Sequence, residues 1–158
     1  MTDPARSTVG VYTRNHPVYL KRATLRAGRR VVFRSKLHWA GAAELLRRHD
    51  EVLVFVAPVD GGQDITYAGR LHKVVLDPSL SDLEALIAEG VVDPTTTGEG
   101  IWGGDCKTMS VVELEELREP FPMTQLVKLS DGQPLSADYG YGYSLVRGPD
   151  LPLGRSGA

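Results

Sequence analysis

Glu51-Val-Leu-Val-Phe-Val-Ala57 carries the strongest β pattern in the chain. Branched and aromatic side chains suit a pleated, packed surface. Successive strand residues face opposite ways, so a run apolar at odd and even positions alike is predicted to be a central strand, buried on both faces. On its N-terminal side, Trp39, Ala42, Ala43, Leu45 and Leu46 recur near helical spacing. Arg47, Arg48 and His49 follow, where cations suit the helix dipole. This predicts a helix over 39–49. Arg30-Val-Val-Phe-Arg34 precedes it as another β run. On the C-terminal side, Pro58-Val-Asp-Gly-Gly-Gln63 reads as a hairpin-like loop. Residues 65–76 then read as one long strand or a bent pair, ended by Asp77-Pro78.

Further out the pattern is mixed. Residues 9–13 and 18–21 have strand character, separated by the turn signal Asn15-His16-Pro17. Ser79 or Ser81 caps a predicted helix with Leu83, Leu86 and Ile87 as its stripe and Gly90 as its stop. Residues 94–105 form a Gly/Thr-rich loop that carries Trp102. Ser110-Val-Val-Glu113 has capping-box spacing, which predicts a helix broken at Pro120 and Pro122. Residues 125–129 read as a strand, Ser130-Asp-Gly-Gln133 as a turn, and Ser144 to Val146, led into by the Tyr139–Tyr143 run, as the last strand. Residues 1–7 and 148–158 read as flexible tails of a single domain spanning 1–158. Strands and short helices do not alternate regularly. The expectation is therefore an α+β fold, with a small curved mixed sheet or pseudobarrel and flanking helices.

Composition narrows the function. The 158 residues are 42% hydrophobic and 24% charged, with one cysteine, Cys106. One cysteine excludes an internal disulfide and a thiolate metal cluster. No run approaches the roughly 18 apolar residues of a membrane span. The polar stretch from Met1 to Gly10 lacks a signal-peptide core, so a cytoplasmic, membrane-free protein is expected. The net charge of −2 argues against generic tracking of a nucleic-acid backbone. Its distribution is uneven. Arg14, Lys21, Arg22, Arg26, Arg29, Arg30, Arg34, Lys36, Arg47 and Arg48 crowd the first part, and acids crowd the middle. That asymmetry is compatible with one basic face.

Catalytic signatures are few. No phosphate-binding loop, dinucleotide fingerprint or nucleophile elbow is present. His16, His38, His49 and His72 form no zinc pattern, so no metal and no cofactor are expected. Glu113, Glu115 and Glu116, placed on the predicted helix, read as a solvated face. Trp39 reads as a core anchor. Trp102, in its polar loop, is a candidate for stacking on a planar ligand. Tyr139, Tyr141 and Tyr143 alternate with glycine and read as packing.

The block from Val18-Tyr-Leu-Lys-Arg through Leu25-Arg-Ala-Gly-Arg-Arg-Val-Val-Phe-Arg-Ser35 resembles the opening of PUA-like domains. Ile65-Thr-Tyr-Ala-Gly-Arg-Leu-His-Lys-Val-Val75 is similar to a strand of the EVE, ASCH and YTH-type members. The stretch from Leu117 to Leu135 is similar to the closing part of an uncharacterised archaeal family of that superfamily. The resemblance implies a module that binds nucleic acid or a nucleoside, holding a modified base in a concave aromatic pocket. By position it implies Arg34, Ser35, Trp39 and Tyr67 as pocket walls, with Trp102 closing over them. ASCH-type relatives imply an alternative: hydrolysis of acylated cytidine or RNA, with Lys21 and Thr24 as its catalytic residues.

Overall fold

In the computed structural model the described residues are 7–25, 27–59, 62–92, 106–137, 143–151 and 153. Among them seven strands form one mixed sheet: β1 (Ser7–Asn15), β2 (Arg30–Ser35), β3 (Leu53–Pro58), β4 (Asp64–Leu76), β5 (Thr108–Pro122), β6 (Val127–Lys128) and β7 (Tyr143–Pro149). Their spatial order is β2-β5-β4-β3-β1-β7-β6. Only β1 and β3 run parallel; the other pairs are antiparallel. Three helices pack around it: α1 (Pro17–Thr24), α2 (Ala40–Arg48) and α3 (Leu80–Ala88). The α+β class stands as expected. Among the described residues the sheet does not close into a pseudobarrel, since β2 and β6 stay at opposite edges.

β3 lies at the middle of this order, as its sequence demanded. Val52, Val54 and Val56 pack on one face with α1 and α2, through Leu20, Ala23, Ala42 and Leu45. Leu53, Phe55 and Ala57 pack on the other, against Tyr12, Met123, Leu126 and Val146. A third cluster joins Val32, Met109 and Val111 to Leu86 of α3.

α3 follows its caps. The Ser79 side chain accepts from the Asp82 amide at 3.1 Å, and Asp82 Oδ2 accepts from the Ser79 amide at 2.8 Å. Gly90 ends the helix region with φ +77°, which a side chain would strain. The Ser79 amide, and the Ser79 hydroxyl donating to the same Oδ2 at 3.0 Å, hold the Asp82 carboxyl below its ordinary range. A depressed folded value means that the contribution of Asp82 is present above the unfolded value of about 4 and is lost as pH falls through the folded one. Ser79→Ala is expected to cost about 1 kcal/mol at neutral pH. In thermal unfolding its difference from wild type should narrow below that pH.

Two expected elements change type. Residues 18–21 lie in α1, not a strand. Pro17 occupies the first turn, where its fixed φ starts a helix, and Leu20 and Ala23, three apart, are buried together. The helix expected after Ser110 is instead the middle of β5, a 15-residue strand. Val111 and Val112 prefer strands, and β5 pairs with β2 on one side and β4 on the other. Long-range pairing thus overrides a local capping pattern. Residues 125–129 become a 3-10 turn, Met123–Gln125, and the two-residue β6. β7 runs on to Pro149, pairing with Ser7 of β1.

Candidate nucleic-acid interface

The end of β1, the start of α1 and the end of β2 enclose a groove of about 620 Å3. Arg14, His16, Tyr19, Arg22, Arg34 and Val59 contribute to its walls, together with Asn15, Pro17 and Val18. Among the described residues no carboxylate lines it. In a chain of net charge −2, this is a local excess of positive charge.

Each wall is fixed by the fold. Arg14 leaves β1 opposite Ala57. Its Nη1 donates to the Pro58 carbonyl at 2.7 Å and the Gly62 carbonyl at 2.9 Å. Among the described residues its hydrogen-bond acceptors are those two carbonyls and the Met123 sulfur. Among the described residues its guanidinium is therefore held in place by neutral acceptors. Tyr19 donates its hydroxyl to the Val32 carbonyl at 2.6 Å and lies against Phe33, so its ring is a preset wall. α1 begins here with no side-chain cap and no acid in its first turn, so its own residues do not compensate the positive end of its dipole. Val18 is 70% exposed and Val59 42%, which gives the groove open apolar surface beside its cations.

Of the residues implied by resemblance, Arg34 lines this groove. Ser35 sits at the end of β2, and its hydroxyl accepts from the Leu37 amide at 3.0 Å. Trp39 is 1% exposed. It stacks on Tyr143 with ring centroids 4.9 Å apart, and Tyr143 in turn accepts from the Ala42 amide. That stack fills core space and leaves no slot for a base between the two rings. Tyr67 is buried in β4 near Lys21 and Glu116; burial, then the Glu116 charge, pushes its hydroxyl up. Trp102, Tyr139 and Tyr141 lie outside the described residues. The described residues therefore bring one of these positions to the groove and form no open aromatic cage.

The alternative hydrolase residues have other roles. Lys21 Nζ is 2.9 Å from Glu116 Oε1. That hydrogen bond and charge raise the Lys21 pKa, the opposite of what a lysine base needs. The Thr24 hydroxyl donates to the Lys21 carbonyl at 2.9 Å. Burial likewise pushes the Cys106 thiol up, keeping it a neutral thiol at physiological pH.

Glu113 is the largest departure from the sequence reading. It does not join a solvated helix face; it is 9% exposed in β5. Arg30 of β2 and Arg70 of β4 stand directly opposite it in the two ladders. Glu115 and Glu116 are also on this strand and face outward more than Glu113 does.

This geometry defines an open-sheet α+β domain with a cationic groove at one end of its parallel strand pair. No protein-family model and no curated protein matches the chain. Two solved structures resemble it. One is the YTH domain of the Zygosaccharomyces rouxii MRB1 protein in complex with N6-methyladenosine RNA, at TM-score 0.48 and 10% identity, covering 87% of this chain and 78% of that one. The other is the Toxoplasma CPSF4-YTH domain in apo form, at TM-score 0.48 and 17% identity, covering 91% and 81% respectively. At that overlap the chain's own groove, not the likeness, has to carry the function.

Proposed function

We propose that the groove binds nucleic acid, taking a phosphate against Arg14, Arg22 and Arg34 and a base against Tyr19. The observation that carries this reading is the convergence of three arginines and a histidine, with no carboxylate among the described lining residues, in a chain of net charge −2. Guanidinium groups pair with phosphate through parallel donors, and a tyrosine ring offers the sequence-tolerant stacking surface that unpaired bases use. The volume, about 620 Å3, falls in the range of small-ligand pockets, roughly 300–1,000 Å3. The reading extends to a modified base: Val18 and Val59 give an alkyl substituent an apolar wall, where unmodified polar edges gain nothing.

Anisotropy of short labelled RNA and DNA strands, with and without base methylation, tests it. Arg34→Glu is expected to weaken binding at least tenfold, since a hydrogen bond to a charged group contributes about 1.5–3 kcal/mol and the reversal adds repulsion. It should also flatten the dependence of affinity on salt, because fewer phosphates are neutralised. Tyr19→Leu should weaken binding without changing the salt slope. Equal affinity of wild type and Arg34→Glu for every strand would remove the groove from the function.

A further inference from the structure

Arg70, Glu113 and Arg30 form a charged row across the sheet, set by the registers of β4, β5 and β2. At its Arg30 end the row borders a further pocket of about 610 Å3, whose lining includes Gly28, Arg30, His72, Lys73, Glu89 and Gly90. It shares no lining residue with the groove above.

His72 owes its place to a bulge. The β4–β5 register shifts between Leu71 and Lys73, leaving His72 as the extra residue. Bulges re-aim a side chain that regular pairing would direct elsewhere. The His72 Nε2 lies 3.2 Å from Glu113 Oε1. An ionised carboxylate only accepts, so Nε2 carries the hydrogen and the neutral ring keeps its lone pair on Nδ1. One further proton at Nδ1 therefore turns His72 into a cation while its bond to Glu113 stays in place.

The charges around it balance. Among the described residues, Arg30, Arg70 and Lys73 meet Glu51, Glu89 and Glu113 in the contacting network, three against three. Two of the cations are loosely held: Arg30 Nε is 3.8 Å from Glu113 and Lys73 Nζ is 4.0 Å from Glu89. Their side chains are 53% and 50% exposed, so both can turn toward a ligand. At Gly28 and Gly90 a Cβ would meet nothing within 4 Å, and the entrance is open. Among the described residues no aromatic side chain lines this pocket, unlike the groove with Tyr19.

We propose that this pocket is a separate binding site for a compact, hydrophilic anion of the phosphate class, gripped by Arg30 and Lys73 and taken up together with a proton on His72. With neutral His72 the pocket's described lining sets Arg30 and Lys73 against Glu89, and the imidazolium adds a further positive charge. An entering anion favours the imidazolium, and the imidazolium favours the anion, by the same free energy.

The test uses the full chain. Ring resonances of His72 are followed while inorganic phosphate, a nucleoside 5′-monophosphate or chloride is added at matched ionic strength. Calorimetry in two buffers of different ionisation enthalpy counts protons. The expected result is a saturable His72 shift with phosphate or the monoester and not with chloride, together with uptake of up to about one proton. Saturation by both, or by inorganic phosphate alone, assigns a free phosphate group; saturation by the monoester alone assigns a nucleotide terminus. Arg30→Gln and, separately, Lys73→Gln should each weaken binding by about tenfold or more, the scale of one charge-assisted contact. Lys73→Gln leaves the partners of Glu113 intact and so guards against a folding artefact. His72→Gln should bind more weakly and without proton uptake. A shift linear in added salt, an equal response to chloride, binding without proton uptake in wild type, or unchanged affinity in Lys73→Gln overturns the proposal. Arg34→Glu, the groove variant, should leave this binding unchanged, so the two sites fail or stand independently.

Discussion

Phe55→Ala is expected to lower the unfolding free energy by about 3–5 kcal/mol, the usual cost of removing a fully buried phenyl ring. Phe55 is 0% exposed at the centre of β3. Its ring lies over two places where the neighbouring strands lack a side chain. A Cβ on Gly10 of β1 would stand 2.8 Å from Phe55 Cε2, and one on Gly148 of β7 would stand 2.7 Å from Phe55 Cζ. Phe121 meets the ring edge-on at 6.2 Å between centroids. The two glycines cannot move in to fill the space, because their backbone is fixed by the β1–β7 and β1–β3 ladders. The truncation therefore leaves a cavity rather than a collapsed core. Urea unfolding, with the slope compared to wild type, measures the loss. The reciprocal change, Gly148→Ala, is expected to destabilise by overpacking, since its methyl would also stand 2.7 Å from Leu126 Cδ2. A Phe55→Ala loss below about 1 kcal/mol would mean that the ring is not the piece joining β1, β3 and β7.

β3 was legible because its two faces are both apolar, a pattern that only a central strand satisfies. α3 was legible because Ser79, Asp82 and Gly90 act within a few residues of one another. α1 and β5 were not, for opposite reasons. Val18-Tyr-Leu has strand composition, yet Pro17 supplies a helix start and tertiary packing buries Leu20 and Ala23 on one side. Ser110-Val-Val-Glu113 imitates a capping box, yet Ser110 lies buried opposite Phe33 in the ladder. Local signals decide an element only where no distant partner competes for the same backbone groups.

The groove shows the same division. Arg34 came from a resemblance of block order, whereas Arg14, Tyr19 and Arg22 meet it only once α1 turns back over β2. The signal that could have found them was the basic bias of the first part of the chain, which includes all three of the groove arginines. Trp39 was rightly suspected of being a core anchor: its stack with Tyr143 explains why a tryptophan stands at the start of α2. Glu113 was illegible as a buried charge. Neither Arg30 nor Arg70 is near it in sequence, and only the strand registers bring the three together.

Glu113→Ala is the second large effect, expected near 3 kcal/mol, the low end of the range for breaking a buried ion pair from one side. The cost arises from what remains rather than from the lost attraction. Arg70, with its side chain 18% exposed, would keep its charge beside an apolar cluster that includes Leu53, its own ladder partner. Arg70 retains Glu51 at 3.2 Å, which holds the loss below the top of the range. Arg30, at 53% exposed, turns into solvent at little cost. Arg30→Gln should therefore change stability by less than about 1 kcal/mol, as for other exposed ion pairs. The decisive comparison is the double variant Glu113→Leu with Arg70→Met. Replacing both charges by packed apolar groups of similar length is often close to neutral, so the double should recover most of the single's loss. Chemical unfolding of wild type, Glu113→Leu, Arg70→Met and the double variant as a cycle gives the coupling directly. A double variant no more stable than Glu113→Ala would show that the carboxylate acts through the shape of β5, and not by neutralising Arg70.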